Sequence, residues 1–451
     1  MRLSSLVLLT LIALLPLGCG KPPVAAPAQE TVAFEGATTN ALVRAGAPSD
    51  LTARLRIATR APEKAGRVPV NVALLVDASG SMEGKPIADA IAASLAMVVG
   101  LAEGDRLAVE AFGSTTETLL ASTELDGDSR AEARKRLGEL RAQGTTDLAG
   151  GLQRAVDQVA GHLDAQGINR VVLLGDGVPN DESSIRNIAS SAGARGIAIT
   201  SLGLGLDYDE TVMGTIAQLS GGKFRFVERS EQVAEFFQEE VLRLHTVYAR
   251  NARVTLTPGP GVQVRSVVGQ PTSVAGRQVT VGIGDLSRDD VRKLAVKLSV
   301  EPRRDGAPVE LLDAVLVYED PLAGGAEVER RLFLGAHASG DEARIESGRN
   351  AQLEDEVALL ETAAATVSAL QKQKTAGNEA ASADLEHAAS AAESQAQRTG
   401  NADLKKAATS LRELQQNLPE PGPAPASPSA ARQRASQVVR SQHDAAMDLL
   451  Q

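Results

Sequence analysis

The chain is expected to be an α/β protein. A doubly wound, mostly parallel sheet should be accompanied by an antiparallel β-sandwich and a C-terminal α-helical segment. Three observations predict this. Between Val70 and about Leu244, short apolar runs such as Val72–Val76 and Val171–Leu174 alternate with helix-length segments, the grammar of a doubly wound domain. Those runs do not alternate apolar with polar, so they suit strands buried on both faces. After Tyr248 the pattern changes to alternating strands broken by Pro and Gly, and no Pro occurs between Leu322 and Leu418.

A length of 451 residues allows roughly two to four domains. Hydrophobic residues make up 43% and aromatics 2%, with no Trp. The cores must therefore be built from Val, Leu, Ile and Ala. So few aromatics argue against surfaces that stack sugars or bases. A formal net charge of −11 without a basic block makes a nucleic-acid partner unsuitable.

Taken in order, residues 1–18 read as a signal peptide. Met1-Arg2 is a basic start, and Leu3–Leu17 has the length of a signal core and is too short for an ordinary membrane span. Residues 19–48, rich in Pro, Ala and Thr, read as a flexible tether. Residues 49–69 contain Leu51–Ile57, an alternating strand expected to join the sandwich, which would make the α/β domain an insertion.

The α/β domain is assigned to 70–247. It contains a helix over Pro86–Leu101 with the stripe Ile87, Ile91, Leu95 and Val98, and Asp128 or Ser129 capping a charged helix that ends near Gln143. Further helices are expected at Leu148–Ala160, Ser183–Arg195, Asp209–Leu219 and Ser230–Leu244. The sandwich is assigned to 248–340 and a helical hairpin or bundle to 341–418, with the seam Leu353, Val357, Leu360, Ala364, Val367 and Leu370. Residues 419–451 read as a Pro/Ala-rich linker and a short tail helix.

The chemistry gathers at strand ends. Asp77, Ser79 and Ser81 leave one turn after the first buried strand, Thr146 lies in the turn before the Leu148 helix, and Asp176 follows the Val171 strand. In a doubly wound sheet ligands bind beyond the carboxyl ends of the strands, so these three turns can meet. They would supply two carboxylates and three hydroxyls, an all-oxygen set that suits Mg²⁺, Mn²⁺ or Ca²⁺. Two formal charges neutralise such an ion and leave a position for an outside carboxylate. Asp147 and Glu83 lie near these turns as solvated or supporting groups. None of His162, His245, His337, His387 and His443 has metal-ligand spacing.

DASGS, GTTDLAGGL and LLGDG, in that order and each at a strand end, resemble the metal-ion-dependent adhesion site of von Willebrand factor type A domains. The resemblance covers Val70 to Leu244. It is similar in style to the calcium-activated chloride channel regulator and inter-alpha-trypsin inhibitor heavy-chain groups, where β-segments flank the domain. It implies that Ser79, Ser81 and Thr146 are hydroxyl ligands, with Asp77 and Asp176 binding directly or through water. It further implies metal-dependent binding of a protein partner through a carboxylate; no base stands near Ser79 or Ser81 in the sequence, so no catalysis is expected.

PLGCG resembles a bacterial lipobox, which implies lipidation of Cys19 and a place in the cell envelope. Gly20 after the cysteine favours the outer membrane. Two other functions compete: a structural envelope scaffold whose metal only stabilises the fold, and a metal-dependent hydrolase. The hydrolase lacks a second carboxylate two residues after Asp77, where Ser79 stands, and lacks a nucleophile elbow. No small-molecule substrate is evident.

Overall fold

A computed structural model describes residues 31–60, 67–175, 181–204, 210–227, 243–418 and 430–450. Cys19, Asp176 and most of the expected Ser230–Leu244 helix lie outside the described residues. The described chain opens with β1 (Val32–Thr38), β2 (Leu42–Arg44) and β3 (Ser49–Thr59). The tether expected to reach residue 48 is therefore corrected: strands occupy much of 32–44. Val32 and Phe34 pack inward, and β1 pairs antiparallel with β3 along its whole length. Small and polar neighbours hide that pattern in the sequence, and the pairing partner supplies the missing stability.

The α/β part runs β4 (Val70–Asp77), α1 (Lys85–Gly100), β5 (Arg106–Phe112), β6 (Thr116–Glu124), α2 (Gly127–Glu139), α3 (Leu148–Ala160), β7 (Ile168–Gly175), α4 (Glu182–Ala194), β8 (Ala198–Leu204), α5 (Glu210–Ser220) and β9 (Phe224–Val227). Its sheet has the order β6-β5-β4-β7-β8-β9, with only β6 antiparallel. Every residue of β4 and of β7 is buried, as strands covered by helices on both faces must be. The chain passes from β4 to β5 on one side and later returns to β7 on the other. The switch point therefore falls between β4 and β7, where open α/β sheets hold their ligands.

Local detail corrects two expectations. The cap of α2 is Asp126, whose carboxylate accepts the Ser129 N–H while Ser129 bonds back to the Asp126 N–H, a reciprocal box. The helix ends at Glu139, because Leu140 is already extended. In α1 the deepest face is Ala90, Ala93, Met97 and Val98, whereas Ile87, Ile91 and Leu95 are half-buried on its flank. Alanines facing the sheet let the helix sit close, and the larger residues fill the groove beside it.

At the base of the sheet Asp105 is fully buried. It accepts the Val70 N–H (3.1 Å) and the Ala102 N–H (2.8 Å), and pairs with Arg67 and His245. Burial pushes its pKa up, but the His245 bond, the two amides and Arg67 outweigh that and hold it below the ordinary carboxylate value.

The sandwich continues with β10 (Val247–Pro258), β11 (Val262–Val267), β12 (Thr272–Ala275), β13 (Gln278–Ser287), β14 (Val291–Val300), β15 (Pro308–Asp320) and β16 (Ala326–Ser339). One sheet is β1-β3-β14-β11 and the other β12-β13-β10-β15-β16-β2. Because β3 and β10 both belong to the sandwich, the α/β part is inserted between them. Leu51–Ile57 lies inside β3 and pairs with β14.

The two parts are tied by buried charge. Arg170 at the base of β7 bonds Asp285 of β13 at 2.7 Å, with side chains 6% and 7% exposed. The other oxygen of Asp285 accepts the Asn251 N–H (3.1 Å). Asn251 takes φ = 49° where the register of β10 slips, a left-handed residue in an irregular strand that Asn tolerates.

Five helices follow: α6 (Glu342–Ser347), α7 (Ala351–Ala376), α8 (Asn378–Thr399), α9 (Ala402–Gln416) and α10 (Ala430–Leu450). They are not an isolated appendix. On α7, Val357, Leu360, Ala363 and Val367 join the core that also holds α3, α4 and α5, while Ala369 and Leu370 join the bundle of α8 and α9. The expected short tail helix spans 21 residues as α10 and is part of the α/β core through Ala446, Met447 and Leu450. It covers the outer edge of β9, where Asp444 accepts the Phe226 N–H (3.0 Å) and pairs with Arg225. His443, fully buried, stands edge-on to the Phe224 ring at 5.2 Å.

Candidate metal centre

The site is built on the end of β4. Asp77 is fully buried, and its Oδ1 accepts the Ser79 N–H at 2.8 Å. That bond folds the chain back immediately after the strand, as an Asx turn does. It aims Ser79 and Ser81 the same way, with their Oγ atoms 3.0 Å apart. Ser79 is 1% exposed while Ser81 faces solvent. Met82, fully buried, anchors the short helical turn that follows. Gly84, at φ = 87°, then lets the chain enter α1.

The loop 143–147 meets this turn from the side. Gln143 N–H donates to Ala78 O (2.7 Å), Gly80 N–H to Gly144 O (3.0 Å), and Asp147 N–H to Gly113 O (2.7 Å). Ala78 N–H in turn donates to Phe112 O (2.7 Å), so β5 is part of the same frame. These bonds bring half-buried Thr146 to the Asp77–Ser81 turn. Asp147 is occupied as the cap of α3, accepting the Gly150 N–H at 3.0 Å. Glu83 is exposed.

Opposite, β7 ends at Gly175. A Cβ there would lie 2.6 Å from the Asp77 Cβ and 2.8 Å from its Oδ2. Only glycine leaves the Asp77 carboxylate its place. Asp176, the next residue, is outside the described residues. The structure thus brings the Asp77–Ser81 turn and the 143–147 loop that carries Thr146 into one hydrogen-bonded frame at the switch point, with β7 ending beside it.

An all-oxygen set of this kind fits a hard divalent cation. Among the described residues, no three His, Cys, Asp or Glu side chains gather in a way that could hold an ion. The donors here are hydroxyls with a buried carboxylate. Four residues of the frame were missed by sequence reasoning: Gly113, Gln143, Gly175 and Ser114, whose Oγ accepts the Thr145 N–H at 2.8 Å. A Gly-Ser directly after a buried strand, and a Gly directly before the expected Asp, are the signals that could have found them.

Glu110, also fully buried, lies outside this frame. It accepts from Thr118 (2.9 Å) and from Gln158 of α3 (2.7 Å). Burial pushes its carboxyl above the ordinary value, against the pull of those two bonds and of Arg154.

Fold and frame together define a doubly wound α/β domain with a carboxylate-and-hydroxyl cluster at its switch point. Residues 70–226 match the family of the von Willebrand factor type A domain, and the chain carries such a domain there. It is 26% identical to the protein sll0103 of Synechocystis sp. over 62% of this chain and 69% of that protein. It is also 26% identical to YfbK of Escherichia coli, over 42% of this chain but only 34% of YfbK. Inter-alpha-trypsin inhibitor heavy chain H4 of Sus scrofa is 26% identical over 40% of this chain and 21% of its own length.

Among solved structures, a von Willebrand factor type A protein from Catenulispora acidiphila superposes with a TM-score of 0.70 at 20% identity. That match covers 91% of this chain and 95% of that one. The ArnB paralog VWA2 from Sulfolobus acidocaldarius gives 0.61 at 17% identity, over 92% and 98%. These two likenesses speak for the whole architecture, sandwich and helices included, and for the fold alone.

Proposed function

We propose that the chain binds a protein partner through a divalent cation, Mg²⁺ or otherwise Mn²⁺ or Ca²⁺, held by Asp77, Ser79, Ser81, Thr146 and Asp176. A von Willebrand factor type A domain supports a protein-interaction or scaffold role. Three observations support the metal-dependent reading: a fully buried Asp77 carboxylate, paired Ser79 and Ser81 hydroxyls 3.0 Å apart, and a glycine that leaves the carboxylate its room. When bound, the ion supplies a positive centre that accepts a carboxylate from outside. Asp77 and Asp176 balance its charge, while Ser79, Ser81 and Thr146 orient neutral oxygens and leave it electrophilic. The role is binding rather than catalysis, because the turn brings no imidazole or elbow nucleophile with it.

Cys19 would anchor the chain by lipid to the bacterial envelope, with the outer membrane favoured. Among the described residues no helix is long and apolar enough to cross a membrane. Replacement of Cys19 by Ala should release the chain from the membrane fraction. Retention there would refute the anchor.

The test of the site is direct. Mn²⁺ titration of the full chain, followed by the electron paramagnetic resonance of the free ion, should show one site that is lost in Asp77→Ala. Mg²⁺ at about 100 times its Kd should stabilise the wild type by about 2.7 kcal/mol and leave Asp77→Ala unmoved. Partner capture should disappear in EDTA and in Asp77→Ala alike. Capture that survives both would refute metal-dependent binding and leave the scaffold reading.

A further inference from the structure

We infer that Ser114, in the loop between β5 and β6, is a positioning residue of the metal centre that acts through the Gly144–Thr145 peptide. The inference rests on the metal-dependent reading above. Ser114 Oγ accepts the Thr145 N–H at 2.8 Å and the Thr145 hydroxyl at 3.2 Å. The same peptide unit carries the Gly144 carbonyl, which accepts the Gly80 N–H at 3.0 Å. One peptide plane is thus held from opposite ends: by Gly80, between the ligand residues Ser79 and Ser81, and by Ser114.

The plane is set by a left-handed residue. Gly144 has φ = 80°, and a Cβ on it would fall 2.2 Å from Ser114 Oγ. That approach is open only to glycine, and it places the Ser114 hydroxyl directly against the loop. Thr146 is the next residue after the clamped peptide. Its far side is held by the Asp147 N–H on Gly113 O at 2.7 Å, so residues 113 and 114 grip the Thr146 segment before and after.

Without the Ser114 hydroxyl the 144–145 plane keeps only its Gly80 bond and can tilt about it. The tilt moves the Thr146 hydroxyl off its direction. Ser114 is exposed, so its loss leaves no cavity and little change in global stability. Outer residues that orient metal ligands typically govern affinity by about 10–100-fold.

The experiment compares Ser114→Ala, Ser114→Thr and Asp77→Ala in the full chain. The readouts are Mn²⁺ affinity, thermal midpoint, and hydrogen exchange of the Thr145 amide in the metal-free protein. Ser114→Ala should bind Mn²⁺ about tenfold more weakly, with a midpoint near wild type and a faster-exchanging Thr145 amide. Ser114→Thr keeps the hydroxyl and should bind within about twofold of wild type.

Wild-type affinity in Ser114→Ala, or equal weakening in the Ala and Thr variants, would overturn the inference while Asp77→Ala still upholds the site. If the wild type takes up no Mn²⁺, the metal reading fails instead. The exchange rate then decides the clamp on its own: an unchanged Thr145 amide in Ser114→Ala overturns it.

Discussion

Replacement of Gly175 by Ala should damage the proposed metal centre more than it damages the fold. The added Cβ would lie 2.6 Å from Asp77 Cβ, 2.8 Å from Oδ2 and 3.1 Å from Cγ, against about 3.5–4.0 Å for unstrained carbon contacts. The shortfall is therefore about 1 Å. The strand cannot recede to make it up, since Leu174 is paired to Val76 on one side and Gly175 to Gly203 on the other. The carboxylate must move, and the Ser79 N–H bond to it must stretch.

Overpacking of this size costs about 1–3 kcal/mol. At about 2–4 °C per kcal/mol for a chain of 150–250 residues, the thermal midpoint of this longer chain should fall by a few degrees. Metal–ligand distances tolerate only about 0.2 Å, so a displacement several times larger should weaken Mn²⁺ by at least about tenfold. Gly193→Ala is the control. Its Cβ would meet Leu219 O at 2.8 Å and Ser220 Cα at 2.9 Å, a comparable clash on the α4–α5 contact, away from the site.

Calorimetry should show similar midpoint losses in the two variants, and Mn²⁺ titration should separate them. Unchanged binding in Gly175→Ala, or equal loss of binding in both variants, would refute the reasoning.

Two further outcomes are expected. Arg170→Ala leaves Asp285 buried without its guanidinium partner and should cost about 3–5 kcal/mol, read as a lower urea midpoint, whereas Arg170→Ala with Asp285→Ala should recover part of it. Burial raises the pKa of Asp290, but Lys223, Arg292 and Arg243 together hold it below the ordinary 3.8. Its native state binds fewer protons than the unfolded chain, so its stabilisation is complete above about 3.8 and is lost as pH falls through the lowered value. Urea midpoints measured down through that window should drop less steeply for Asp290→Asn than for wild type.

The α/β sheet and the turn that carries three of the proposed ligands are legible in the sequence because their signals are local. Val72–Val76 and Val171–Leu174 are continuous apolar runs, and both are wholly buried strands. Asp77, Ser79 and Ser81 lie within five residues and share one turn. What escapes is set by partners far away in the chain. Ser114 gains its role only where the loop after β5 meets residues 144–145. In β16 the alternation is hidden because Phe333, 61% exposed, points outward among charged residues while Leu334, Ala336 and Ala338 point in. In α1 half of the inward face is Ala90 and Ala93, which no hydrophobic pattern highlights. In α10 a polar composition conceals His443, Ala446, Met447 and Leu450, all buried against the α/β core.

The cover that α10 places over β9 has a consequence for dissecting the protein. The boundary that similarity draws, residues 70–226, is not the boundary of a self-sufficient piece. A fragment cut there would keep the Asp77–Ser81 turn but lose α10, the cover of β9, which comes from more than two hundred residues downstream. Phe224 would lose the His443 ring that stands against it, and the Phe226 amide, without Asp444 on an open strand edge, would seek another chain. Such a fragment is expected to self-associate, and its binding behaviour would describe an aggregate. Recognition experiments on this protein therefore belong on a chain that retains residues 430–450.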